Sequence, residues 1–119
     1  MTEIKEIKIN LFEVIGSRAA ISSDDGDIIF KRIDLALKNK VNVLVDFQNI
    51  DLIVSTFLNA SIGQLYGTYN SQIIRKYLKV INLNNDDLGT LKLVIKRAQE
   101  YFENKKNFET SINNSLQDD

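Results

Sequence analysis

Three side chains are placed where this sequence suggests chemistry: Asp46 and the adjacent hydroxyls of Ser55 and Thr56. Asp46 lies at the end of an apolar run, and the two hydroxyls precede a second apolar segment. An aspartate at a strand end either acts in a functional site or accepts hydrogen bonds from the next turn. A hydroxyl at a helix start either caps the helix or is a phosphorylation site, because a helix N-terminus favours negative charge. Both alternatives remain open for each position.

The composition excludes most catalytic chemistry. The sequence has no His and no Cys, so there is no zinc or haem ligation, no disulfide, no thiol nucleophile and no imidazole base. The five glycines are dispersed and match no phosphate-binding motif. No pattern pairs Ser55 or Thr56 with a base. We therefore predict no enzymatic activity, no metal and no cofactor, and a hydrolase with paired carboxylates is the least favoured alternative.

Charge and length limit the partners. The 119 residues include 15 Lys and Arg against 16 Asp and Glu, and the formal net charge of −1 disfavours nucleic-acid binding. The apolar runs are far shorter than the ~20 residues that span a bilayer. The start, MTEIKEIKIN, lacks the apolar core of a signal peptide. We expect one cytoplasmic domain that contacts neither membrane nor nucleic acid.

Alternating and helical patterns predict the elements of the first half. Residues 5–11 alternate as a strand or hairpin, and the Val-rich run 41–47 predicts a central strand that buries Val43 and Val45. The Ser- and Asp-rich residues 22–27 predict a helix cap, since they lack the spacing and the terminal Glu of a calcium loop. The predicted buried face of the helix that follows consists of Ile29, Ile33, Ala36 and Leu37.

The second half continues the alternation of helices and strands. We predict a helix over residues 57–69, a strand over 77–83 and a last helix capped within Asn84–Asp87. The predicted buried stripe of the last helix consists of Leu88, Leu91, Ile95, Ala98 and Phe102. The order of elements indicates an α/β domain over residues 1–104 with parallel strands, and the polar residues 105–119 are expected to form a mobile tail.

The stretch VNVLVDFQNIDLIVSTFLNASIGQLYG, residues 41–67, resembles the STAS-like family of small bacterial proteins of unassigned function. In that family a hydrophobic strand ends in Asp-Phe, and a short loop leads to a Ser- or Thr-Phe-Leu helix start. The upstream GSRAAISSDDGDIIFKRI, with its Gly-x-Arg, is also similar. The resemblance extends over residues 7–102 and implies a single STAS-like domain with a mixed, mostly parallel sheet.

STAS domains proper include the bacterial anti-sigma factor antagonists, whose helix begins with Asp-Ser-Ser-Gly-Leu-Gly. In this alignment Ser55 matches the first serine, Thr56 the phosphorylated serine, and Leu58 the leucine. The acidic residue and the two glycines are replaced by Val54, Phe57 and Asn59.

The resemblance implies a regulatory interaction module that is switched by phosphorylation at Thr56 or Ser55. The implied partner is a regulatory ATPase or kinase of the histidine-kinase-like superfold. The partner contacts are expected at Asp46, Asn49, Asp51, Phe57 and Asn59. The alternative is a sensor of a small ligand or nucleotide, in which Arg18 contacts an anion.

Overall fold

Short strands alternate with helices along the chain, as the α/β prediction requires. The computed structural model describes residues 5–117, with side chains described for residues 5–109. The strands in this range are β1 (Glu6–Asn10), β2 (Ala19–Ala20), β3 (Asn42–Asp46), β4 (Leu52–Ile53) and β5 (Leu78–Ile81). The helices are α1 (Leu11–Ile15), α2 (Ser23–Lys38), α3 (Ser55–Ser61), a 3-10 helix (Gly63–Gly67), α4 (Ser71–Tyr77) and α5 (Asn85–Gln117). The predicted α/β class is confirmed.

The main sheet is parallel and has β3 at its centre. Its strand order is β1-β3-β5, with Ile7 opposite Val43 and Val43 opposite Leu78. Strand β1 is therefore a single parallel strand and not half of a hairpin. Val43 and Val45 are each 1% exposed, as predicted for a central strand. The short strands β2 and β4 form a second parallel pair, which we call the ribbon.

Helix α2 follows the sequence prediction closely. Ser22 is its N-cap, and the Ser22 hydroxyl accepts a hydrogen bond of 3.0 Å from the Asp25 N–H. The capping interpretation of residues 22–27 is thus confirmed. All four residues of the predicted buried face lie in the core: Ile29, Ile33, Ala36 and Leu37.

A close backbone approach joins α2 to α3. A Cβ atom at Gly26 would lie 2.7 Å from the Ala60 Cβ and 2.8 Å from the Phe57 carbonyl oxygen. Both distances are shorter than van der Waals contact, so only glycine fits at this crossing. The buried Ser61 hydroxyl donates to the Phe57 carbonyl at 2.8 Å, which satisfies it within α3.

A side-chain hydrogen bond between Tyr69 and Asp34 connects the segment before α4 to α2. The Tyr69 hydroxyl donates to the Asp34 carboxylate at 2.6 Å, and Lys38 forms an ion pair with Asp34 at 3.0 Å. The hydrogen bonds from Tyr69 and Lys38 hold the pKa of Asp34 below its usual range. Burial, together with the neighbouring Asp34, raises the pKa of Tyr69 to about 12.

Several elements differ from the prediction. Helix α1 was not predicted, and strand β4 lies in the stretch expected as a loop after the central strand. The predicted helix over 57–69 is divided between α3 and the 3-10 helix, where Gly63 and Gly67 weaken α-helical geometry. Helix α4 was missed, although Asn70 caps it by accepting from the Ile73 N–H at 2.9 Å.

The last helix begins as predicted and extends further than predicted. The Asn84 side chain accepts from the Asp87 N–H at 2.8 Å, which confirms the predicted cap. Of the predicted stripe, Leu91 is buried together with Val94, and the other four members are half-buried. Helix α5 continues to Gln117, beyond the helix end expected near residue 104. The boundary at 104 and the mobility of the tail stay predictions, and residues 1–4 and 118–119 lie outside the described residues.

Replacing Gly26 with alanine tests the α2–α3 contact. Because the new methyl group has no space against Phe57 and Ala60, Gly26→Ala is expected to lower the free energy of unfolding by about 1–3 kcal/mol. Gly89→Ala is the matched control, since a Cβ at this position of α5 meets nothing within 4 Å. The control is expected to stabilise by about 0.5–1 kcal/mol through helix propensity. Equal effects of the two substitutions in urea unfolding would contradict the close approach.

Truncating the central strand tests its burial. Val45→Ala is expected to cost about 1–3 kcal/mol, because it removes buried methyl groups and leaves a cavity. Leu52 is 53% exposed, so Leu52→Ala is expected to change the free energy of unfolding by no more than about 0.5 kcal/mol. Chemical denaturation of both variants gives the comparison, and a Val45→Ala cost as small as that of the control contradicts the assigned packing.

Candidate functional site

The carboxyl ends of the three main strands lie together at one edge of the sheet, where binding residues of α/β proteins are usually found. Asn10 ends β1 and lies opposite Asp46, which ends β3. Asp46 in turn lies opposite Ile81, so that Asn82 directly follows β5 at the same edge. Sequence reasoning identified Asp46 here but did not identify its partners.

Asp46 is fully buried, and its carboxylate contacts β1 and the residues that directly follow β3 and β5. Its Oδ1 accepts hydrogen bonds from the Asn82 side-chain amide at 2.7 Å and from the Gln48 N–H at 2.9 Å. Its Oδ2 forms an ion pair with the Lys8 ammonium at 3.2 Å but has no hydrogen bond of good geometry. The bond from Gln48 is the turn-capping alternative of the sequence analysis. Since Asp46 is 0% exposed, the predicted partner contact at this side chain is wrong.

The environment of Asp46 favours its charged form. Burial raises the pKa of the carboxyl, but the hydrogen bonds from Asn82 and Gln48 and the interaction with Lys8 together lower it by more. The pKa of Asp46 therefore lies below its usual range. The carboxylate holds Asn82 in the left-handed conformation, with φ of 62°, which ends β5 and turns the chain toward α5.

The depressed pKa of Asp46 predicts an acid-sensitive stability. A carboxylate whose pKa is lower in the folded state stabilises the fold above the unfolded-state pKa, and this stabilisation is lost as the pH falls through the folded-state pKa. Asp46→Asn is expected to lower the free energy of unfolding at pH 7 by about 1–3 kcal/mol and to flatten its decline below pH ~4.

The control for this prediction is Asp24→Asn, because Asp24 is an exposed aspartate in the first turn of α2. Urea unfolding between pH 7 and pH 3 gives the comparison. An Asp46→Asn variant with the same acid dependence as the wild-type protein contradicts the assignment.

The loop after β3 leads into the ribbon, where Arg18 and Asp51 meet. The Arg18 carbonyl accepts the Asp51 N–H at 2.7 Å, and their side chains form an ion pair at 3.5 Å. The Arg18 guanidinium also lies 5.8 Å from the centre of the Phe12 ring. Both charged side chains are more than half exposed, so the ion pair contributes little stability. Because Asp51 offsets the charge of Arg18, this arrangement does not favour the anion contact of the sensor alternative.

Helix α3 begins without a side-chain cap. Its N-cap is Val54, whose carbonyl accepts from the Phe57 N–H at 3.1 Å, and no side chain accepts from the first turn. Ser55 and Thr56 occupy the first two helical positions, and both are exposed. The capping alternative for these hydroxyls is therefore wrong, because each residue lies inside the helix and not at its cap.

The remaining predicted contact residues divide between surface and interior. Asn49 and Asn59 are exposed, and Asn59 lies one turn after Ser55 on the same face of α3. Phe57 is 1% exposed and packs in the core, so its predicted contact with a partner is wrong. Helical geometry turns the Phe57 side chain away from the solvent-facing side of α3 that carries Ser55 and Thr56.

Two exposed apolar residues beside the start of α3 were missed by sequence reasoning. Leu52 of the ribbon is 53% exposed and Ile21 is 47% exposed. The ribbon places them together, since Ala20 lies opposite Ile53 and the Val54 N–H donates to the Ala20 carbonyl at 3.1 Å. We call the exposed residues Ile21, Leu52, Ser55, Thr56 and Asn59 the α3 surface. Its apolar and hydroxyl side chains suit contact with a protein.

Neither a metal centre nor a membrane span is present in the part of the chain that the structure describes. Among these residues, no group of three or more Asp and Glu side chains could hold a metal ion. No helix within residues 5–117 has the length and apolar character needed to cross a membrane.

Comparison with known proteins agrees with the fold. Residues 25–88, which include most of α2, all of β3 and α3, and the α3 surface apart from Ile21, match the family described as STAS-like domain of unknown function (DUF4325). The match covers more than half of the chain, and the protein belongs to this family. No curated protein and no solved structure matches the chain.

Proposed function

We propose that this protein is a regulatory interaction module that catalyses no reaction and that docks through its α3 surface. The proposal rests on the exposed hydroxyls of Ser55 and Thr56, which cap no helix and lie beside the exposed apolar side chains of Ile21 and Leu52. Exposed apolar groups supply binding energy, and an adjacent hydroxyl supplies a position at which charge is added.

The resemblance to anti-sigma factor antagonists supports the choice of partner. Thr56 matches the phosphorylated serine of those proteins, which dock onto regulatory ATPases of the histidine-kinase-like superfold. The family match shows a STAS-like domain over the strand and loop that lead to α3, which is compatible with this choice. The proposed partner is therefore an ATPase of this class that binds the α3 surface when Thr56 is unmodified.

Phosphorylation of Thr56 acts by charge and not by unfolding. With ATP as the donor, a bond forms between the Thr56 Oγ1 and the γ-phosphorus as the bond to ADP breaks, and the hydroxyl proton passes to a base of the kinase. The phosphate adds about −1.5 to −2 charges. Within the monomer, the N–H groups at the start of α3 stabilise this charge. At the interface with the ATPase, the phosphate is removed from water and has no opposite charge beside it, so the complex is weakened.

A charge substitution tests the proposal in binding assays with purified regulatory ATPases of the histidine-kinase-like superfold from the same organism. Thr56→Glu is expected to weaken the complex at least about tenfold, because a carboxylate is desolvated at the interface. It is expected to leave the circular-dichroism spectrum and the Tm unchanged, since a negative charge at a helix start is favourable. Thr56→Ala is expected to bind like the wild-type protein.

Two controls separate position from charge. Ser55→Glu places the same charge one residue earlier on the α3 surface and is also expected to weaken binding. Gln72→Glu places the same charge at the second position of α4, which is exposed like the second position of α3. This variant is expected to bind the ATPase normally. If folded Thr56→Glu binds as tightly as Gln72→Glu, the charge switch is wrong. If the wild-type protein binds no such ATPase, the proposed partner is wrong.

A further inference from the structure

One edge of the main sheet, formed by β1, has no strand partner within residues 5–117. On its other side β1 pairs with β3, and the Asn42 N–H donates to the Lys5 carbonyl at 3.0 Å. In a parallel pair, alternate residues direct both backbone groups to the same neighbour. The backbone groups of Lys5, Ile7 and Ile9 therefore bond to β3. The N–H and C=O groups of Glu6 and Lys8 point away from β3, in the plane of the sheet, toward its open edge.

The charges along this edge are complementary to a second copy of the same strand. If two β1 strands pair antiparallel about a two-fold axis at Ile7, Glu6 of each copy lies opposite Lys8 of the other. These positions also have the outward backbone groups, so they form the hydrogen-bonded pairs of the ladder. The neighbouring registers place Glu6 opposite Glu6 or Lys8 opposite Lys8, and like charges directly opposite destabilise a sheet. Charge thus selects the register centred on Ile7.

Ile7 itself is incompletely covered. It lies on the same face of β1 as Ile9, but Ile7 is 40% exposed and Ile9 only 4%. In the register centred on Ile7, the two Ile7 side chains meet in a non-hydrogen-bonded pair, the closer of the two pair types. Pairing then removes an exposed apolar side chain from water in each copy.

Helix α2 presents a second apolar strip toward the same edge. Ile28 is 48% exposed and Leu35 is 65% exposed, and they lie seven residues apart on one side of α2. At 3.6 residues per turn, these side chains are about 160° and 180° around the helix from Gly26, which contacts α3. Right-handed crossovers place α3 on the β5 side of α2. The strip of Ile28 and Leu35 therefore faces outward past β1.

From these features we infer that the protein forms a symmetric homodimer through antiparallel pairing of β1 with β1 of a second copy. The two sheets join into one sheet with the order β5-β3-β1-β1-β3-β5, and the two α2 strips face each other across the two-fold axis. The Lys8 ammonium has three N–H donors, and its side chain is 56% exposed. It therefore pairs with Glu6 of the second copy without giving up its ion pair with Asp46. The inference is independent of the proposed function, since α3 lies on the opposite side of α2.

Sedimentation velocity of the full chain over a range of concentrations tests the inference. The wild-type protein is expected to sediment as a dimer. Glu6→Lys is expected to raise the dimer dissociation constant about tenfold or more, because two attractive pairs become repulsive. Mixing the Glu6→Lys chain with a Lys8→Glu chain is expected to restore the dimer, because the two altered edges are again complementary.

A variant outside the strand keeps the test independent of the Lys8–Asp46 ion pair. Leu35→Glu is expected to weaken the dimer as well, whereas Leu93→Glu, at a residue of α5 that is 44% exposed, is expected to leave it unchanged. Circular dichroism checks that each variant is folded. A monomeric wild-type protein overturns the inference, since the edge charges then serve only to block strand pairing. A dimer that withstands either Glu6→Lys or Leu35→Glu also overturns it.

Discussion

The buried carboxylate of Asp46 fixes the edge of the sheet from which the functional loops leave. Removing a charged group from water costs several kcal/mol unless it is paired and hydrogen-bonded. Here Lys8 from β1, the Gln48 N–H and the Asn82 amide after β5 supply that compensation. Each of these groups reaches Asp46 only if the three strands end at the same level. The cost of leaving Asp46 unpaired therefore stabilises one strand register, and that register sets where the loops to the ribbon and to α5 begin.

The close contact of Gly26 with α3 fixes the position of the proposed docking region relative to α2. Because the α2 backbone lies directly on Ala60 and the Phe57 carbonyl, α3 cannot shift toward α2 without a clash. Phe57 and Leu58, each at most 1% exposed, anchor the same helix in the core. The first turn of α3 is thus held from two sides, while Ser55 and Thr56 remain in solvent. A surface that is rigid before binding loses less entropy when a partner docks.

Patterns of apolar residues predicted the central strand and the buried face of α2 correctly. These elements depend on burial, and burial is what periodicity reports. The caps at Ser22 and Asn84 were also predictable, because each lies before a long apolar stripe. The error at the start of α3 has a physical reason. The ribbon bond from the Val54 N–H to Ala20 starts the helix at Val54, and a pairing so distant in sequence leaves no local pattern.

The same limit applies to the site. The position of Asp46 at a strand end was predictable, but its partners Lys8 and Asn82 are distant in sequence, and only the sheet register brings them together. Phe57 follows two hydroxyl residues and was expected at the surface, yet helical geometry turns it into the core. Nothing in the local sequence distinguishes Ile21 and Leu52 from other apolar residues. They become a surface only because β2 and β4 pair separately from the main sheet.

The two networks around Asp46 and Asp34 also determine how this protein responds to protons. The pKa values of both carboxyls are lowered, and the pKa of Tyr69 is raised to about 12, so none of the three side chains changes charge near neutrality. The sequence has no histidine, the side chain that ordinarily titrates between pH 5 and 8. Acidification of the surroundings by one pH unit thus leaves both networks intact. The electrostatic contacts that hold the strand ends together and join α2 to the segment before α4 therefore stay the same while the proton concentration around the protein varies near neutrality.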